Sequence, residues 1–330
     1  MTRAEIPSWR RGGDGPLRVG VSACLLGSKV RYDGGHKRDP FLTELLAPHV
    51  EWVPVCPEVE LGMGIPRPPV HLLRGAGAIE LREVRSGADH TRRMKGYAAR
   101  RAGELARLDL CGYVLKKDSP SCGLERVRIW PAGGKGTPER TGRGLFAEAL
   151  VERMPLLPIE EEGRLHDPRL RDNFVERLFA FRRLRALFSG RWSVGQLVAF
   201  HTAHKLTLLA HHPRAYASLG RLVAGAAALE RSALREQYER ELMQALAVLA
   251  TPARHANALQ HAAGYFKKTL DAPSRAELAD LIEDHRLGRV PLVVPMTLLR
   301  HHVRTHGVTY LADQIYLDPH PRELMLRNHV

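Results

Sequence analysis

Leu17-Arg18-Val19-Gly20-Val21-Ser22-Ala23 is a short apolar, β-branched run, and a loop punctuated by Gly27, Gly34 and Gly35 follows it. Such a run reads as a buried strand, and the elements after it decide what sheet it joins. Pro40 to Leu46 reads as helix, Trp52 to Val55 as a second strand and Glu60 to Pro69 as a Gly/Pro loop. His90 to Leu108 repeats apolar residues at helical spacing, Tyr113 to Leu115 and Val127 to Trp130 read as further strands, and a helix over Leu145 to Met154 closes the series. Strands alternating with helices predict an α/β domain with a mainly parallel, Rossmann-like sheet.

The character changes further along. Asp172 reads as an N-cap, after which Phe174, Leu178, Phe181, Leu184 and Leu187 keep a helical period until Gly190. Ser193 can cap the next helix, and Ala- and Leu-rich segments follow at Leu219 to Leu229, Ser232 to Leu249, Ala253 to Tyr265, Ser274 to His285 and Met296 to Val303. Little there alternates with a period of two, so an all-α helical domain is expected over 161–330, after an α/β domain over 17–160 and a loose tail over 1–16.

With 330 residues, 44% hydrophobic and 26% charged, the chain has the makeup of a globular protein and excludes collagen, disorder and secreted disulfide scaffolds. The first residues carry three Arg and no apolar run, and no stretch reaches the roughly 20 apolar residues that span a bilayer. The expected location is the cytoplasm, with reduced thiols. Lys and Arg exceed Asp and Glu by 50 to 36, which points to a polyanionic partner, with nucleic acid expected first.

Three of the four cysteines, Cys24, Cys56 and Cys122, each follow a predicted strand, in VSAC, PVC and SPSC. In a parallel sheet those loops emerge at the carboxyl edge, where open α/β folds build their sites. Cys111 lies instead in the apolar run Leu108 to Leu115 and reads as a small buried residue. The other three are either buried small residues or ligands that converge. A structural zinc site normally draws on tight C-x-x-C pairs, which are lacking here, whereas wide-spaced thiolates suit an iron–sulfur cluster reached from separate loops. Three ligands on four irons leave one iron open to a soft ligand such as sulfur. Glu58 lies beside Cys56 as a candidate acid or base, and Ser119 lies three residues before Cys122, as either a turn hydroxyl or a site group.

SACLLG at Ser22 to Gly27, YDGGH at Tyr32 to His36, VCPE at Val55 to Glu58, RPP at Arg67 to Pro69 and SPSCG at Ser119 to Gly123 together resemble the thiouracil desulfidase family. The likeness runs from about Val19 to Leu157, with GRGLFAEAL matching the closing helix. It implies a [4Fe-4S] cluster held by Cys24, Cys56 and Cys122, with Glu58 and Ser119 as catalytic residues. Asp33 and Ser121, inside the shared motifs, are candidates for substrate binding, although Asp33 also suits a turn.

Thirteen of the 17 histidines lie after Leu150, and Arg177 to Leu229 holds eight Lys/Arg and no Asp or Glu. An acid-free run is either a phosphate-binding face or a solvated one. His201 with His204, and His302 with His306, have metal-pair spacing but lack an acidic partner or an H-E-x-x-H arrangement. AFHTAHKLTLLAHHP at Ala199 to Pro213 and GYFKKTLD at Gly264 to Asp271 resemble the helical domain fused to desulfidases that act on thiolated tRNA. That resemblance implies RNA binding, with Lys205, Arg214, Lys267 and Lys268 as the contacts to test, and Tyr265 or Phe266 for base stacking. The function expected is hydrolytic removal of sulfur from 4-thiouridine in tRNA. The alternatives are a free-base 2-thiouracil desulfidase and a non-enzymatic iron–sulfur RNA-binding or sensor protein.

Overall fold

Two compact units divide the computed structural model, which describes residues 7–11 and 15–330; one is Pro16–His166, and the other joins the N-terminal residues to Asp167–Val330. The first unit contains eight strands: β1 (Arg18–Ser22), β2 (Glu51–Val55), β3 (Val70–Arg74), β4 (Ile79–Glu83), β5 (Gly112–Leu115), β6 (Val127–Trp130), β7 (Glu139–Gly142) and β8 (Ile159–Glu161). The strands β2-β1-β5-β8 form an all-parallel sheet in that order. Its inner strands are apolar on both faces: Val19, Val21, Val114 and Leu115 are fully buried. Pro54 has no N–H to donate and is tolerated in β2 because that strand is an edge. Gly20 is required where it stands, since a Cβ there would lie 2.1 Å from the Tyr113 ring.

The expected parallel α/β sheet is present, with two corrections. Val127–Trp130 is a strand, but it belongs to a second, mixed sheet of order β4-β3-β6-β7. The hairpin β3–β4 and the short strands β7 and β8 were not expected from the sequence. Helices Thr91–Leu105 and Leu145–Arg153 pack on each other, and Phe146 meets the Tyr113 ring edge-on at 6.0 Å.

All elements described in the second unit are helical. The first long helix runs Pro168–Phe188, so the division falls after His166 rather than at residue 160. Asp167 is its N-cap, accepting from the Arg169 and Leu170 amides, and Pro168 occupies the first helical position. Asp172 is therefore not the cap; it is buried within the helix and pairs with His320 at 2.9 Å. Ser193 does cap Val194–Ala203, in a capping box with Gln196.

Part of the tail expected over 1–16 lies outside the described residues. The described part includes a helical turn, Ser8–Arg11, whose Trp9 is buried and meets Phe200 edge-on at 5.1 Å. Among the described residues no helix is long and apolar enough to cross a membrane.

Candidate active site

Three adjacent parallel strands release the chain at the same edge, and each release delivers a cysteine. Cys24 lies two residues past β1, Cys56 directly past β2, and Cys122 in the turn after β5. In the order β2-β1-β5 the chain first leaves β1 to one side and later returns on the other, which opens a crevice beyond the carboxyl ends of β1 and β5. A cavity of about 400 Å³ occupies it, lined by Cys24, Cys56 and Cys122 together with Glu58 and Ser119. Cys111 precedes the amino end of β5, is buried, and takes no part in that lining.

Burial pushes the Cys24 thiol up to about 11; the Cys56 sulfur adds to the effect, and Lys116 and Arg31 oppose it. Burial also raises Cys56 and drives Cys122 well above the ordinary thiol range. Cys24 and Cys56 both contribute to the Cys122 effect, so the three sulfurs lie within Coulombic reach of one another. Lys116 and Arg31 offset only part of the rise at Cys24, so ionising all three thiols calls for further positive charge beside the sulfurs. Among the described residues, no three His, Cys, Asp or Glu side chains converge tightly enough to hold a single metal ion.

Glu58 enters the cavity from the helical turn Pro57–Glu60. Its Oε2 accepts from Arg67 Nε at 3.0 Å and from Arg67 Nη2, while its Oε1 accepts from Ser121 Oγ at 2.9 Å. Arg67 also donates through Nη1 to the Val30 and Gly64 carbonyls, each at 3.0 Å. A guanidinium only 2% exposed is thereby fully engaged, and the carboxylate plane is fixed. Arg67 lies in a motif recognised from sequence, but its positioning role was missed because its partner is nine residues away. Ser121, expected as a substrate-binding residue, is completely buried and outside the cavity lining, and its hydroxyl holds Glu58 in place.

Ser119 accepts at Oγ from the Ser121 and Cys122 amides, at 3.3 and 3.1 Å. The turn reading is therefore correct, and Ser119 also lines the cavity. The turn itself is fastened from two sides. Amides at the start of Leu145–Arg153 donate to the Pro120 and Ser121 carbonyls, and a Cβ on Gly144 would stand 2.4 Å from the Ser121 oxygen. On the other side, Glu161 accepts from the Leu124 amide at 2.8 Å, and Glu162 accepts from the Lys117 amide at 2.7 Å and pairs with Lys116. These buried carboxylates at the end of β8 were not anticipated.

Asp33 does not reach the cavity lining. It is exposed, accepts from the Gly35 amide at 3.0 Å and pairs with Arg31, which makes it a turn former. Arg31, Tyr32, Lys37 and Lys117 do line the cavity, with the Arg31 guanidinium 5.4 Å from the centre of the Tyr32 ring.

In the helical unit Arg214, Lys267 and Lys268 are exposed and Lys205 is half-buried. Phe266 is core, whereas Tyr265 is 49% exposed and stacks on Tyr310 at 4.7 Å. His201, His204, His211, His255, His285 and His302 are all buried. His204 stacks on Phe200 at 4.1 Å and bonds its carbonyl, and the His302 and His306 rings lie 6.0 Å apart.

Residues 19–162 match the family described as 2-thiouracil desulfurase. Through its α/β unit the chain belongs to the 2-thiouracil desulfurase family. Residues 205–321 match a second family, described as a protein of unknown function (DUF1722). An uncharacterized protein of Escherichia coli, YbgA, is 32% identical over 161 residues, covering 48% of this chain and 95% of the relative. YbbK of Bacillus subtilis, also uncharacterized, is 30% identical over 137 residues, covering 40% of this chain and 88% of the relative. A solved structure of a [4Fe-4S]-dependent thiouracil desulfidase, TudS, is 32% identical and covers 46% of this chain and 93% of its own, with a TM-score of 0.37. The desulfurase match coincides with the unit that carries the three cavity thiols.

Proposed function

We propose that the chain hydrolyses 4-thiouridine in tRNA to uridine and sulfide, using a [4Fe-4S] cluster held by Cys24, Cys56 and Cys122. The observation that carries this reading is the meeting of three thiols, buried at Cys24 and Cys122 and half-buried at Cys56, with a clamped carboxylate and a serine hydroxyl in one cavity. The donor set fits the group. Soft thiols that do not close on a single ion suit a cofactor that offers a separate iron to each of them.

When bound, such a cluster supplies a Lewis-acidic iron to which a thione sulfur is attracted. The protein's own residues supply proton management and position. Glu58, with one oxygen fixed by Arg67 and the other by Ser121, takes a proton from the attacking water and passes it to the departing sulfur. Ser119, already anchored by two amides, donates its hydroxyl proton to the pyrimidine edge and orients the ring. The carbon–oxygen bond forms as the carbon–sulfur bond breaks. Water supplies the oxygen and sulfur leaves as sulfide, so no electrons are exchanged with a donor.

A nucleotide substrate is favoured over a free base by the cavity rim. Arg31, Lys37 and Lys117 present positive charge that a neutral base does not need but flanking phosphates do, and the exposed Tyr32 ring offers a stacking face. A base in folded RNA must be splayed out to enter.

Anaerobic incubation of the reconstituted protein with thiolated tRNA, followed by chromatography of the nucleosides, tests the proposal. Loss of 4-thiouridine with matching gain of uridine and sulfide is expected. Full retention would overturn it, and turnover confined to free 2-thiouracil would replace the tRNA reading with the free-base one.

A further inference from the structure

Four arginines meet where helix Val293–Thr305 faces the segment Pro319–Asn328 in the helical unit. Arg300, Arg304, Arg322 and Arg327, with His320, line a cavity of about 280 Å³, and no acidic side chain lines it. Thr297, Arg300 and Arg304 stand at i, i+3 and i+7, which places them on one stripe of the helix.

The counter-charges are unevenly shared. Arg327 is buried and held by Glu176 at 3.5 Å and Asp172 at 3.9 Å, behind the cavity wall. Arg322 binds Asp318 through two bonds of 2.7 and 2.8 Å. Arg300 donates to the Leu317 carbonyl and lies 3.5 Å from that same Asp318, so one carboxylate serves two guanidiniums. Arg304 is exposed and makes no ion pair or hydrogen bond with the described residues. Burial lowers the Arg300 guanidinium below its ordinary value, and Arg322, Arg327 and Arg304 push in the same direction against Asp318.

We propose that this cavity is a phosphate-binding site, in which Arg304 and Arg300 close on the anion while Arg322 flanks its mouth. The chemistry is that of a tetrahedral oxyanion. Forked N–H donors match its oxygens, and its negative charge relieves a cluster of like charges that the protein leaves undercompensated. The anion is either a backbone phosphate of an RNA or a free phosphate. The site is separate from the sulfur chemistry and does not depend on it.

Calorimetric titration of the full chain with inorganic phosphate, with chloride holding ionic strength constant, is the test. Wild type should bind saturably, and Arg304→Glu should weaken binding by about ten-fold or more. Because Arg304 is exposed and unpaired, the variant should melt as wild type does. Arg322→Ala, which removes a surface pair, gives a second, milder variant with a smaller loss.

A matched titration with a short sulfur-free RNA hairpin separates the sources. A backbone-phosphate site predicts that Arg304→Glu lowers the salt slope of RNA binding by about one. A free-phosphate site predicts lost phosphate binding with unchanged RNA binding. Identical phosphate isotherms for wild type and Arg304→Glu, or equal heats from chloride alone, would overturn the proposal. Since the readout is phosphate affinity and not sulfur release, a failure here is distinguishable from a failure of the desulfuration reading.

Discussion

The α/β unit and the helical unit treat their reactive side chains in opposite ways. In the α/β unit three scattered cysteines, 32 and 66 positions apart, arrive in one open cavity because each follows a parallel strand that ends on the same edge. In the helical unit the histidines are far denser, yet seven of them are buried as core or as partners of buried groups. His201 bonds the Tyr238 hydroxyl at 3.2 Å, His255 that of Tyr316 at 2.9 Å, and His211 the Val248 carbonyl at 2.7 Å. Placement relative to the ends of elements, and not abundance, marks which reactive side chains open onto a cavity.

The contrast is broken most sharply at the sulfurs. Cys24→Ala, Cys56→Ala and Cys122→Ala should each abolish the visible iron–sulfur absorption of the reconstituted protein, and Cys111→Ala should preserve it. Equal spectra for all four variants would remove the distinction between site and core thiols.

Next in size is Glu58→Gln, which should keep the chromophore but lower turnover by about 10²–10⁴-fold, as loss of a general acid or base does. Single-turnover kinetics on thiolated tRNA would show it, and a rate within two-fold of wild type would deny Glu58 that role.

Arg67→Met leaves a carboxylate in the cavity wall without its buried cation. Unfolding in urea should show a loss of about 3–5 kcal/mol, because the orphaned charge stays desolvated. A loss under about 1 kcal/mol would mean the pair is screened as a surface pair is.

The smallest effect concerns the helical core. Burial lowers His201 to about 4 and His204 to about 3, so both stay neutral in the folded unit. The unfolded chain takes up protons first as pH falls. Their stabilising contribution is therefore whole above about pH 6.5 and is lost progressively towards pH 4. The urea midpoint of wild type should fall over that window, and His204→Gln should flatten the slope. A midpoint independent of pH would show that these histidines protonate in place.

Much of this was legible in the sequence where burial on two faces leaves an unbroken apolar run. β1 and β5 are such strands, and the cysteine loops follow from their direction. The hairpin β3–β4 was missed because its half-exposed strands carry His71, Arg74, Glu80 and Arg82 among their apolar residues. β8 was hidden for another reason. Two of its three residues are Glu160 and Glu161, buried because Arg164 engages the first and backbone amides the second. Strand propensity also does not name a partner, so Val127–Trp130 was recognised as a strand but not as part of a second sheet. Trp9 looked like part of a tail because its partner, Phe200, is almost two hundred residues away.

Cys24, Cys56, Cys122, Glu58 and Ser119 line one cavity, a convergence that was legible because their motifs adjoin strand ends. Ser121 and Asp33 lie outside that lining, since a motif does not tell which of two neighbouring polar groups faces the cavity. Arg67 was overlooked because its value lies in a contact across the loop.

Iron and acid-labile sulfide measured on anaerobically reconstituted wild-type protein bear most directly on the whole interpretation. Equal amounts of iron and sulfide, about four of each per chain, are expected for a cubane anchored in the α/β cavity. Protein that folds and stays soluble yet retains neither iron nor sulfide would contradict it.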